Sequence, residues 1–75
     1  MDSYLKNQIE YIVCCISDFA DRFGIEKAYA YDYLNRYQGL NFIYKHYDAL
    51  HTLSIDDAID DLENICKRNG GGLSR

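Results

Sequence analysis

A chain of 75 residues makes one domain, and a hydrophobic content of 48% is enough for a core and argues against disorder. The net charge is -4, and the eight basic residues are scattered except for Lys67-Arg68, which speaks against the clustered cations of a nucleic-acid or anionic-membrane binder. With no proline and most glycine near the C-terminus, helices are favoured over turn-rich β structure.

The longest apolar run, Tyr11 to Ile16, is far shorter than the ~20 residues a membrane span needs. Asp2, without a charged segment ahead of an apolar one, argues against a secretion signal. Cys14, Cys15 and Cys66 are odd in number and two are neighbours, a poor disulfide framework. The expected setting is reducing and cytoplasmic, with the thiols acting as small core side chains.

The first predicted helix runs from Asp2 or Ser3 to Phe23. Ile9, Ile12, Val13, Ile16, Ala20 and Phe23 recur at three- and four-residue steps and form one stripe, widened by Cys15 and Phe19. Gly24 follows as a stop, because glycine takes the left-handed conformation without penalty. A second helix is predicted from Ile25-Glu26-Lys27 to about Tyr37 or Gln38, with Gly39 ending it. Tyr29, Tyr33 and Tyr37, four apart, form a ridge beside Ala30 and Leu34, while Ala28 and Tyr31 point elsewhere.

A short third helix is expected from about Leu40 to Tyr47, burying Leu40, Ile43, Tyr44 and Tyr47. Asp48 to Leu53 reads as a connection. Ser54 and Asp57 have the spacing of a capping box, so the last predicted helix starts at the Ser54 cap and ends near Arg68. Its stripe of Ile55, Ala58, Ile59, Leu62, Ile65 and Cys66 is the clearest in the chain. Asp56, Asp57, Asp60 and Asp61 near its start and Lys67 and Arg68 at its end both complement the helix dipole. Asn69-Gly70-Gly71-Gly72 breaks it. The expected fold is all-α: a compact bundle of three main helices plus one short helix over residues 1–68, with a flexible Gly-rich tail over 69–75.

His46, Asp48 and His51 supply three potential zinc ligands, but no His-x-x-x-His pair accompanies them. His51 and Thr52 are better read as capping backbone groups around the start of the last helix. Cys15 with His51 and an aspartate makes a nucleophilic triad only on paper, and a chain this small has trouble enclosing a pocket of ~300–1,000 Å³. The acidic run lacks the ligand order and central glycine of an EF-hand and reads as a solvated face. No catalytic, cofactor or metal residue is therefore assigned, and an enzyme is not expected.

Eight tyrosines in 75 residues are the unusual feature, since tyrosine offers rigid area with a polar tip. The candidate partner-binding residues are Tyr29, Tyr31, Tyr33, Tyr37, Tyr44, His46, Tyr47 and His51. The expected partner is another protein, and a homodimer that buries the tyrosine ridge is compatible with that. The alternative is a helix-turn-helix DNA-binding regulator, suggested by the tight turn Phe23-Gly24-Ile25. Its second helix would carry Lys27 and Arg36 against Glu26 and Asp32, which disfavours phosphate.

Three segments together, Ile9 to Ile16, Tyr29-Ala30-Tyr31-Asp32-Tyr33-Leu34 and His46 to Ser54, resemble a short bacterial family, Domain of Unknown Function three-seven-nine-one. The resemblance covers about Asn7 to Gly72, is most specific at His-Tyr-x-x-x-His-Thr, and at Ile65 to Gly72 is similar to the version found in gut Bacteroidetes. It implies a small helical protein with no defined catalytic residues. It also implies a companion of a second family that resembles an ADP-ribosyltransferase toxin, and hence an antitoxin-like or accessory binding role.

Overall fold

In a computed structural model, residues 3–73 are described, and all regular structure among them is helical. Five helices follow one another: α1 (Ser3–Phe23), α2 (Lys27–Arg36), α3 (Gly39–Lys45), α4 (Tyr47–Leu50) and α5 (Ile55–Arg68). The expected three long helices and one short one are present. The stretch expected as a plain connection contains one further helical turn, α4.

Both ends of α1 and α5 that were read from glycine are closed by the same device. At the end of α1, the Ile25 N–H donates to the Ala20 carbonyl at 3.0 Å and the Gly24 N–H to Asp21 at 3.4 Å, with Gly24 at φ +63°. At the end of α5, the Gly71 N–H donates to Cys66 at 2.8 Å and the Gly70 N–H to Lys67 at 3.2 Å, with Gly70 at φ +100°. These paired bonds satisfy carbonyls that a helix end leaves orphaned. At the start of α5, the Ser54 hydroxyl accepts the Asp57 N–H at 3.2 Å, the expected cap.

Gly39 behaves differently from its reading as a stop. The left-handed residue is Gln38, at φ +70°, and Gly39 is the first residue of α3. What Gly39 supplies is closeness: a Cβ there would lie 2.7 Å from Leu34 Cδ2. The second helix accordingly ends at Arg36, before the expected boundary.

The core joins Cys15, Phe19, Ala20 and Phe23 of α1 to Ala30 and Leu34 of α2, Ile43 of α3, Leu50 of α4, and Ala58, Ile59, Leu62 and Cys66 of α5. Of the expected α5 stripe, Ala58, Ile59, Leu62 and Cys66 are buried and Ile55 and Ile65 are half-buried at its edges. The α1 stripe is rotated: Cys15 and Phe19 lie at its centre, whereas Ile9 and Val13 are exposed. Apolar residues span a wider arc of α1 than its neighbours cover, so composition alone places the stripe too far to one side. On α3, Tyr44 is 61% exposed, contrary to its expected burial, because the contacts of this short helix are met by Ile43.

Arg22 of α1, which fell outside the stripe, reaches α5: its guanidinium pairs with Asp60, lies 3.6 Å from the Asp56 carboxylate and donates to the Asp56 carbonyl at 3.1 Å. Part of the acidic face is thereby engaged rather than simply solvated. Of the described part of the expected tail, Asn69 and Gly70 cap α5 and Gly71 to Leu73 run as a strap past Tyr33 of α2, while Ser74 and Arg75 lie outside the described residues. Leu73 is half-buried and its N–H donates to the Tyr33 hydroxyl at 3.2 Å.

The strap makes a sharp expectation. A Cβ on Gly71 would meet the Tyr33 hydroxyl at 2.5 Å and the Cys66 carbonyl at 2.8 Å, whereas one on Gly72 meets nothing within 4 Å. Gly71→Ala should lower stability by about 1–3 kcal/mol through overpacking against backbone. Gly72→Ala should stay within about 0.5 kcal/mol of the parent. Urea denaturation of the two variants side by side checks the contrast.

Candidate functional site: a tyrosine groove on the second helix

Helix α2 is ten residues long and buries only Ala30 and Leu34 completely. Tyr29, Tyr33 and the C-cap Tyr37 follow one another at four-residue steps, so their side chains line one edge of the helix. Tyr33 leans on the core, its ring 5.8 Å from Phe19, and Tyr37 packs on Tyr33 at 4.9 Å. Tyr29, at the open end of the row, is 56% exposed. The ridge is therefore half-buried over two residues and free over the third.

The ridge forms one wall of a groove of about 510 Å³. Asp32 and Arg36 of α2 stand beside the rings, and Gly72 and Leu73 of the strap form the facing wall. Asp32 and Arg36 are exposed and belong to no ion pair found among the described residues. The groove therefore offers aromatic faces, one carboxylate and one guanidinium within a single helix length. Its size falls in the range that the chain's shortness seemed to forbid, because an open trough between a helix and a strap needs no enclosing shell. Burial pushes the Tyr33 phenol above its ordinary pKa, and the hydrogen bond from Leu73 partly offsets this, so the tip stays a neutral hydroxyl.

The His46–His51 segment does something else. The His46 ring packs on Phe42 at 4.8 Å, and the His51 ring stacks on Tyr47 at 4.6 Å with an interplanar angle of 12°. His51 Nδ1 lies 2.9 Å from the Tyr47 carbonyl, and since a carbonyl only accepts, Nδ1 carries the proton. Thr52 donates to the Ala49 carbonyl at 2.7 Å. The expected capping by His51 and Thr52 is found, but on the carbonyls that close α4 rather than on the N-terminus of α5.

Tyr47 is 8% exposed. It sits edge-on to Tyr4 at 5.6 Å and to Tyr11 at 5.5 Å, and the Tyr4 hydroxyl donates to Asp48 at 2.8 Å. The segment thus fastens the start of α1 to the approach to α5. Tyr11 pays for its place there: its hydroxyl is buried with no ordinary hydrogen-bond partner among the described residues, its polar neighbour being the Cys15 thiol, and burial raises its pKa.

Of the candidate partner-binding residues, Tyr29, Tyr33 and Tyr37 come together in the groove. Tyr31, Tyr44, His46 and His51 are exposed away from its lining, and Tyr47 has little ring left to offer. Among the described residues, no three His, Cys, Asp or Glu side chains gather as a metal-ligand set, and no helix is long and apolar enough to cross a membrane. Asp32, Arg36, Gly72 and Leu73 were not read as site residues. The first two carry a legible signal, an acid and a base four apart beside a tyrosine ridge; Leu73 carries none, because its place depends on where α5 ends in space.

The family model described as Protein of unknown function (DUF3791) matches residues 10–69. The chain belongs to this family. The matched span holds α2 and the whole His-Tyr segment, and Gly72 and Leu73 lie just beyond it. Comparison with curated proteins and with solved structures gave no match.

Proposed function

We propose that this DUF3791 protein is a protein-binding module that seats a segment of its partner in the α2 tyrosine groove. The observation that carries the reading is the groove itself, with three tyrosines in a row and beside them an acid and a base that join no ion pair among the described residues. Tyrosine faces take apolar or cationic side chains, Asp32 suits a lysine or arginine, and Arg36 suits a carboxylate. The net charge of -4 steers a basic partner, which raises the association rate more than the affinity.

The module works by contact and performs no reaction. Cys15 and Cys66 are buried, and burial holds both thiols in the protonated, non-nucleophilic form. The narrower role, an antitoxin-like or accessory partner of an ADP-ribosyltransferase-like toxin in the cytoplasm, rests on what the family resemblance implies. The DNA-binding alternative has its tight turn at Gly24, but the exposed Lys27 and Arg36 of the following helix are offset by the exposed Glu26 and Asp32, which leaves no net positive face for phosphate.

Co-purification from the native host, in low and in high salt, should recover a stoichiometric protein partner. Tyr29→Ala and Asp32→Lys, both at exposed positions, should each weaken its capture about tenfold or more while the fold stays intact. No stoichiometric partner at either salt sinks the reading. Tight duplex binding in a low-salt gel shift would replace it with the helix-turn-helix one.

A further inference from the structure

The first half of α1 carries four of the eight exposed large apolar side chains among the described residues: Tyr4, Leu5, Ile9 and Val13. The reason is one of length. Helix α1 has 21 residues and α2 has 10, about 31 Å against about 15 Å at the standard rise. Ala20 and Phe23, near the end of α1, are buried, whereas Leu5, Ile9 and Val13, which continue on toward its start, are 43%, 45% and 60% exposed.

We infer that this row is the two-fold interface of a homodimer, in which α1 packs antiparallel on α1 of a second copy. Three features of the row specify its occupant. Leu5, Ile9 and Val13 are equally spaced, so a half-turn about an axis at Ile9 superposes the row on itself, placing Leu5 against Val13 of the second copy. A ridge of residues four apart is the commonest element of helix–helix packing. The flank is also self-complementary in charge: Lys6 and Glu10 lie on the same side of the row, four apart, and are not ion-paired among the described residues. Reversal brings each Lys6 within a turn of Glu10 of the second copy, as a helix with the opposite order of signs would require. A bare apolar ridge would accept many helices. This one carries the flank that suits its own reverse, and an isologous contact of this kind closes at two copies.

The interface is separate from the tyrosine groove, so the test is independent of the proposed function. Sedimentation equilibrium over roughly two decades of protein concentration should show a reversible monomer–dimer equilibrium. Ile9→Glu, at an exposed position, should leave the circular dichroism spectrum unchanged and abolish the dimer. Lys6→Glu and Glu10→Lys should each weaken dimerisation by about tenfold, and the double variant should recover most of the loss because the reversed charges still complement. Ile9→Cys in a Cys14→Ser background should give a covalent dimer on mild oxidation, since the two sulfurs meet at the axis. A chain that stays monomeric throughout overturns the inference. So does a dimer that survives Ile9→Glu, or charge variants that fail to rescue one another.

Discussion

Phe19→Ala should cost about 3–5 kcal/mol and lower the melting temperature by roughly 12–40 °C. A chain of 75 residues has a total stability of roughly 4–11 kcal/mol, so a single core aromatic is a large share of it. Phe19 is fully buried and links α1 to α2, with ring centroids 4.7 Å from Phe23 of its own helix and 5.8 Å from Tyr33 of α2. Truncation opens a cavity and removes the inner support of the tyrosine ridge. Thermal melts followed by far-ultraviolet circular dichroism provide the check, with Phe19→Leu as the milder companion. A Phe19→Ala melt within a few degrees of the parent would mean that the core is not centred on this ring.

Alkaline pH should unfold the protein well before it would unfold an ordinary helical bundle. Burial pushes the Cys15 thiol up to about 11 and the Cys66 thiol up to about 11, against an ordinary thiol value near 9.0. A folded-state pKa raised above the unfolded value favours the protonated form. The associated stability is therefore fully present below pH 9 and is lost as pH rises towards 11. Each buried thiol contributes about 2–3 kcal/mol over that window. Burial raises the Tyr11 and Tyr33 phenols as well, which acts in the same direction. Urea midpoints should be flat from pH 7 to about 9 and then fall steeply. Alkylation of the native protein at pH 8 should modify the exposed Cys14 and spare the other two. An unchanged urea midpoint at pH 11 would show that these thiols are not closed off from water.

The two readings of aromatic residues came out differently for an identifiable reason. The Tyr29–Tyr33–Tyr37 ridge was legible because a four-residue repeat on a short helix fixes a shared face whatever the neighbours are. Whether that face was core or surface was not legible, since it depended on the strap: Leu73 covers the Tyr33 end and leaves Tyr29 open. The His46–Thr52 stretch looked like a site from its density of functional groups. Its stacks and caps close a helical turn, a structural use of histidine that no local spacing announces, while His46 and His51 both stay exposed.

Local chemistry was enough for every helix but α4 and for the ends at Gly24, Ser54 and Gly70, because capping and amphipathic periodicity involve residues within one or two turns of each other. Family membership was legible for the same reason: the segments that carried the resemblance are short and contiguous, and the matched span of residues 10–69 contains nearly all of them. Tertiary structure alone decided which arc of α1 is covered and that the strap and α2 enclose a groove. Each of these depends on how far one helix extends past another, and relative length in space is not a property of any sequence window.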